Sequence, residues 1–382
     1  MKKLLIYSGS RADYGILKNL IKELKKNKQI KTKLLVGGSH YSNKSNFTFR
    51  EIERNKIRID IKSKIRLINT SNVEILNFIS KSITDYTKIL SFQKPDMVIV
   101  LGDRYETYAF VIAAFFLRIK IAHIHGGELT GGSFDDSIRH SISKLSNFHF
   151  VTHRDYKKRL IQLGEDKKTI FLVGSLGVQN FINSPKISKI EIFNKYKIPK
   201  NKKVILVTFH PETKSNIPIK KQIDILISSL KFFKDIYFIF TYNNLDTGGL
   251  YFIKRLKILN KKYENLLLIK SLGSSLYYGF VENVDLVIGN SSSGIIEVPS
   301  SKTPALDIGT RQFGRIKSKN IYSCELKKKS IINQIKKILS KKKIASRNVY
   351  FQKNTKEKIL KIILKILKIK KYEMKKFIDI NF

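Results

Sequence analysis

Apolar residues along this chain fall into two alternating kinds of stretch. Short unbroken runs, LLIY at 4–7, MVIVL at 97–101, IKIAHI at 119–124, HFVT at 149–152 and IFLVG at 170–174, read as strands buried on both faces. After the first run, Ile16, Leu17, Leu20, Ile21 and Leu24 recur at helical spacing. A second series follows: VILVTF at 204–209, IYFIF at 236–240, LLLI at 266–269, DLVIG at 285–289 and PALDI at 304–308. Helices alternating with such runs predict parallel sheets covered on both sides. Two series predict an α/β chain of two doubly wound, Rossmann-like domains. The domains are expected at 1–175 and 176–355, joined by the Asn-, Ser-, Pro- and Lys-containing stretch near 175–203. From about 356 to 382 the chain, with EKILKIILKILKIKKYEMKKF, patterns as a basic amphipathic helix. It reads as a closing helix that packs its Ile and Leu on the first domain. The alternative is a helix lying on an anionic membrane surface.

Composition narrows the picture. With 42% hydrophobic and 27% charged residues, the 382-residue chain can bury a sizeable core. A single cysteine, Cys324, leaves no intrachain disulfide and no cysteine-based zinc cluster. The opening MKKLLIYSGSRADYG turns polar after a few apolar residues, so it reads as a first strand rather than a signal peptide. No apolar run reaches the roughly 18 residues of a membrane span, and the expectation is a cytoplasmic protein with no membrane partner. The net charge of +44 is mostly Lys, spread over every segment together with abundant Ile and Asn. AT-rich codons favour all three, and no cluster of Arg and aromatic residues stands out. No nucleic-acid partner is therefore expected. Neither a G-x-G-x-x-G nor a Walker loop is present, and no HExxH or Cys/His cluster offers a metal site.

In open parallel sheets, ligands bind at the carboxyl ends of the strands. Here those ends carry GSRADYG with Arg11 and Asp13, GDRYE with Asp103 and Arg104, and HGGELTGGSFDDSIRH with His125, Glu128, Asp135, Asp136 and Arg139. In the second series they carry His210-Pro211-Glu212, then GNSSSG leading to Glu297, then Gly309-Thr310-Arg311. Carboxylates and histidines gather in one series; Ser, Gly and Arg gather in the other. That division suits a nucleotide sugar, its diphosphate on a helix start and its sugar among carboxylates. The run of serines after DLVIG reads equally as a helix cap or as an anion cradle.

The segments GSRADYG, LGDRYE, HIHGGE, DDSIRHSISKLS, HPET, NSSSGIIEVPS and GTRQFGR occur in the order and spacing of a known family. From about residue 3 to about 320 the chain resembles the UDP-N-acetylglucosamine 2-epimerases. It looks like the hydrolysing branch, which makes N-acetylmannosamine for sialic-acid-type sugars. The resemblance implies a two-domain fold of the glycosyltransferase-B kind, an active site in the interdomain cleft, no cofactor, and a homodimer or homotetramer. It implies loss of the sugar C2 proton with expulsion of the nucleotide diphosphate from C1, then hydration of the 2-acetamidoglucal. By resemblance, Asp103 and Glu128 are the acid–base carboxylates, with Asp135 and Asp136 beside them, and His210 assists at the sugar–phosphate side. Arg11 and Arg311 neutralise the diphosphate, Ser291 and Ser292 cradle it, Glu297 accepts from the ribose, and Asp13, Arg104 and Arg139 bind substrate. His125 stands where reversible members, and some hydrolysing ones, carry a Glu; it either protonates the glucal or only binds substrate. Two alternatives share most of these features. One is a hydrolysing epimerase of UDP- or GDP-linked diacetylbacillosamine on the legionaminic acid path; the other is a glycosyltransferase of the same fold. A non-enzymatic basic binding protein leaves the strand-tip carboxylates unexplained.

Overall fold

Seven parallel strands form the first sheet of the computed structural model: β1 (Lys2–Ser8), β2 (Ile30–Val36), β3 (Ile61–Lys62), β4 (Met97–Leu101), β5 (Lys120–Ile124), β6 (Phe148–Val151) and β7 (Ile170–Leu172). Their order is β3-β2-β1-β4-β5-β6-β7. The second sheet holds β8 (Lys203–Thr208), β9 (Ile236–Thr241), β10 (Leu266–Ile269), β11 (Leu286–Gly289), β12 (Ala305–Ile308) and β13 (Ile321–Cys324), ordered β10-β9-β8-β11-β12-β13. Both are doubly wound: the strand order reverses between β1 and β4 in one and between β8 and β11 in the other, where ligand crevices open. The structure describes residues 1–42, 47–67, 71–243, 248–342, 346–369 and 375–380.

Alternate residues of the central strands feed opposite faces. Leu4, Ile6, Ile99 and Leu101 enter one apolar cluster, whereas Leu5, Tyr7, Val98 and Val100 enter another. Both faces are thus buried, which is why β1 and β4 read as unbroken apolar runs. Strands β2, β3 and β13 are not among the expected runs. β2 interleaves Lys31 and Lys33 with its apolar residues, β3 is two residues long, and β13 reads Ile-Tyr-Ser-Cys.

Contacts divide the chain into two units. One comprises Met1–Glu128, Asp135–Asn180 and Tyr350–Phe382; the other comprises Leu129–Phe134 and Phe181–Val349. The crossing into the long segment of the second unit falls after Asn180, whose side-chain amide donates to the carbonyls of Gly15 and Ile16 at 3.2 and 2.9 Å. The return comes at Tyr350, whose hydroxyl meets that of Tyr156 at 2.7 Å. The helix Thr355–Lys368 buries Ile359, Ile363, Ile366 and Leu367 in the core that also holds Leu17 and Leu20. Its apolar face is thereby covered. The helix ends at Lys368, short of 382. Residues 370–374 and 381–382 lie outside those described, and the stretch 375–380 is not helical. There Lys375 pairs with the buried Glu165 at 2.6 Å and donates to the carbonyls of Lys144 and Ser146 at 2.7 and 2.6 Å. No described helix is long and apolar enough to cross a membrane.

The first unit contains buried histidines with a consequence for acid stability. Burial pushes His40 and His123 down to about 3, only partly offset by hydrogen bonds with nearby backbone groups. A folded value below the unfolded 6.5 means that the unfolded chain binds the extra proton first. The stability these groups contribute is therefore complete above pH 6.5 and lost as pH falls toward 3. Each costs about 1.4 kcal/mol per pH unit inside that window. Urea unfolding at pH 6.5 and pH 5 is expected to differ by about 3 kcal/mol from these two groups. Equal stability at the two pH values sinks the assignment.

Candidate active site

In the first unit, the tips of β4 and β5 and the helix Asp135–Leu145 bring one cluster together. Arg139, 1% exposed, pairs through Nη2 with the Asp103 carboxylate and through Nη1 donates to the Glu128 carbonyl at 2.9 Å. Glu128 is fully buried; its Oε1 accepts from the Thr152 hydroxyl at 2.9 Å and lies 3.4 Å from His125 Nδ1. His125 adopts a left-handed backbone, φ 68°, at the turn where β5 ends. Such a conformation in a non-glycine residue is costly and clusters at functional sites. Asp135 and Asp136 open the helix and are half-buried, with Asp136 4.0 Å from His140.

At the β1 tip, Ser10 caps the helix Arg11–Lys26 by accepting from the Asp13 amide, and Asp13 accepts from the Gly9 amide at 3.2 Å. Burial pushes the Asp13 carboxyl up to about 7, against the pull of the Arg104 guanidinium. Arg104 itself grips Glu106, with Nε at 3.1 Å from Oε2. Arg11 is the first residue of that helix, and burial lowers its pKa against the opposing charge of Glu51.

In the second unit, the switch point between β8 and β11 is locked by a reciprocal pair. The Asn290 side chain accepts from the His210 amide at 2.7 Å and donates to the His210 carbonyl at 2.9 Å. Arg311 Nη1 and Gln312 Nε2 both donate to the Asn290 carbonyl, at 3.2 and 2.8 Å. Ser291 is the N-cap of a helix of only five residues, Ser292–Ile296, and Glu297 is its C-cap. Glu297 is 6% exposed. Burial raises the hydroxyl pKa of Tyr277 and Tyr278, and the charge of Glu297 raises both further. Thr208, Tyr277, Ser291, Gly294 and Asp307 line a small cavity here.

Comparison with known proteins gives this geometry its context. Residues 22–364 match the family model described as UDP-N-acetylglucosamine 2-epimerase. The chain belongs to the UDP-N-acetylglucosamine 2-epimerase family. It is 39% identical over 336 residues to "Polysialic acid biosynthesis protein P7" of Escherichia coli, covering 88% of this chain and 85% of that one. It is 37% identical over 326 residues to "GDP/UDP-N,N'-diacetylbacillosamine 2-epimerase (hydrolyzing)" of Campylobacter jejuni subsp. jejuni serotype O:2, with 85% of each chain covered. The fold matches the Neisseria meningitidis UDP-GlcNAc 2-epimerase solved with UDP-GlcNAc, with a TM-score of 0.78 at 21% identity over 96% of this chain and 100% of that one.

Several residues of this epimerase-family chain have contacts that their sequence positions did not disclose. Arg139 and Arg104 are engaged with Asp103 and Glu106, so each has a carboxylate partner inside the protein. Ser291 makes no side-chain capping bond, contrary to the reading of the serine run as a cap. Sequence reasoning passed over Thr152, which holds Glu128, and placed Glu212 at a strand tip without a role, where it holds the backbone of Thr310 and Arg311. Glu212 had a signal, since it stands two residues after His210 in the HPET segment.

Proposed function

We propose that the protein is a hydrolysing nucleotide-sugar 2-epimerase that converts UDP-N-acetylglucosamine and water to N-acetylmannosamine and UDP. The observation that carries this reading is the cluster of Asp103, Arg139, Glu128 and His125 at the sheet tips of the first unit. The C2 proton of the sugar is very weakly acidic, so its removal must be coupled to departure of the diphosphate. One carboxylate of the Asp103–Glu128 pair takes that proton as the C1–O bond breaks and its electrons leave with UDP. The 2-acetamidoglucal then takes a proton at C2 on the opposite face, while water adds at C1. Arg139 pairs with the Asp103 carboxylate and aims it. His125, beside Glu128, is the second proton carrier, and Asp135 and Asp136 bind sugar hydroxyls. Arg11, His210 and Arg311 meet the developing charge on the diphosphate, with the backbone of Ser291 and Ser292. Glu297 takes the ribose hydroxyls.

A second substrate is favoured by one specific observation, the activity that the name of the Campylobacter jejuni relative states. In that reading the chemistry at C2 is unchanged and the sugar is diacetylbacillosamine. The test is NMR of the protein with UDP-N-acetylglucosamine or with UDP- or GDP-diacetylbacillosamine, in D2O. The first reading expects free N-acetylmannosamine carrying deuterium at C2, plus UDP. Turnover of only a diacetylbacillosamine nucleotide transfers the assignment to the second substrate. Turnover of none removes the function. The accompanying expectation of a cytoplasmic homodimer or tetramer is checked by sedimentation.

The ribose assignment has its own test. Glu297→Ala is expected to weaken UDP binding by about 1–3 kcal/mol, the range for a charged hydrogen bond or an unpaired partner. Changing the ligand to 2′,3′-dideoxy-UDP adds little further loss in that variant, because the same partner is already gone. Calorimetric affinities for two ligands and two proteins complete the cycle; additive losses return Glu297 to a purely structural role.

A further inference from the structure

The HIHGGE segment contains a histidine that the proposed chemistry leaves idle. His123, on β5, is fully buried. Its Nε2 lies 2.8 Å from the Gly102 carbonyl oxygen, and its Nδ1 lies 3.1 Å from the Ser143 hydroxyl. A carbonyl oxygen only accepts, so Nε2 carries the hydrogen. Nδ1 then accepts, and the Ser143 hydroxyl donates to it. Gly102 follows β4 and directly precedes Asp103. Its N–H donates to the Ile124 carbonyl at 3.0 Å. Both polar groups of Gly102 are therefore bonded to β5.

We propose that His123 and Ser143 are positioning residues for Asp103. By holding the Gly102 carbonyl they fix the plane of the Gly102–Asp103 peptide, and with it the direction in which the Asp103 side chain leaves the backbone. This rests on the assignment of Asp103 to the proton transfer. Arg139 holds the far end of that side chain, and Ser143 lies one helical turn beyond Arg139 on the same helix. The helix Asp135–Leu145 thus grips Asp103 by two routes, one through the guanidinium and one through the hydroxyl–imidazole–carbonyl chain. Gly126 supplies an independent observation. A Cβ there would stand 2.9 Å from Ser143 Oγ and 3.0 Å from His123 Nδ1, so the first glycine of HGGE closes directly over this pair. Burial keeps the imidazole neutral across the working range, in keeping with its single ring proton.

The test compares His123→Leu, His123→Gln and Ser143→Ala for kcat, KM, UDP affinity and melting temperature. Leu removes the donor; the Gln side-chain amide nitrogen reaches roughly where Nε2 stands and restores it. His123→Leu is expected to lower kcat about a hundredfold, as for a misplaced reacting group, with KM and UDP affinity held. His123→Gln recovers most of that loss, and Ser143→Ala shows a smaller fall in kcat. In an Asp103→Asn background, His123→Leu adds little, because no carboxylate remains to be aimed. Equal kcat for the Leu and Gln variants, or the same fold-loss from His123→Leu with and without the Asp103 carboxylate, overturns the inference and leaves His123 a core residue. If His123→Leu does not fold, the Ser143→Ala and Asp103→Asn pair runs the same cycle. Full turnover in Asp103→Asn alone overturns the Asp103 assignment and this inference with it. A large loss there combined with additive His123 effects overturns the inference only.

Discussion

Replacing Asp103 with Asn, or Glu128 with Gln, is expected to reduce turnover by about a hundred- to ten-thousandfold, the usual loss for one positioned acid or base. Neither change much alters side-chain volume, but each removes one of the two carboxylate charges assigned to proton transfer at a carbon as weakly acidic as the sugar C2. The Glu128 change is the cleaner test. The Gln carbonyl oxygen can still accept from the Thr152 hydroxyl, which donates to Oε1 at 2.9 Å, so the buried site keeps its packing and its hydrogen bond. The Asp103 change also breaks the ion pair with Arg139. Breaking a buried ion pair from one side costs about 3–5 kcal/mol, but the Asp103 side chain is 20% exposed and water relieves part of that. The Asn variant is therefore expected to melt lower than the Gln variant, with UDP affinity near normal in both. Steady-state turnover, calorimetric UDP affinity and thermal melts together decide the matter. Near-normal turnover in either folded variant removes that residue from the mechanism.

The sequence discloses some of this site and conceals the rest, for physical reasons. Strands β1, β4, β8 and β11 are legible because both of their faces are covered, so each is an unbroken apolar run. β2 is not, because Lys31 and Lys33 interrupt its run, and β3 is too short to carry a pattern. The strand tips are legible because parallel sheets put ligands there, and Asp103, Glu128 and His210 all follow apolar runs. Partner choice is not legible. An arginine at a tip grips a phosphate or a carboxylate according to where its side chain points, and Arg139 and Arg104 both point to carboxylates. A serine run before a helix reads as a cap, but Ser291 heads a five-residue helix and its hydroxyl makes no capping bond. The weight then falls on backbone N–H groups rather than on a long helix dipole.

The second large effect is expected at Glu212, which holds the loop that carries Arg311. Its side chain is 2% exposed. Oε1 accepts from the backbone amides of Thr310 and Arg311 at 2.7 and 3.0 Å, and Oε2 accepts from the Thr310 hydroxyl at 3.2 Å. Gln222 fixes the Glu212 backbone from both sides, accepting from its N–H at 2.9 Å and donating to its carbonyl at 3.1 Å. The loop is shaped around this carboxylate: Gly309 has φ 87°, and a Cβ there would lie 2.2 Å from Glu212 Oε1. Glu212→Ala leaves the Arg311 amide buried without its acceptor and removes two further charge-assisted bonds. At about 1–3 kcal/mol for each such group, with the Thr310 side of the loop open to water, a loss of about 3 kcal/mol is expected. Glu212→Gln is expected to lose less, since a carbonyl oxygen in the Oε1 place still accepts from both amides, though without the charge. Arg311 Nη1 donates to the Asn290 carbonyl next to Ser291, so on the proposed diphosphate role of this loop UDP affinity is expected to fall as well. Gly309→Ala, which pushes on the same carboxylate from the other side, is expected to act in the same direction. Urea unfolding of the three variants, with UDP affinity measured on the folded protein, reads both effects. A Glu212→Ala protein as stable as the parent, with unchanged UDP affinity, means that the carboxylate fills space and does not hold the Arg311 loop.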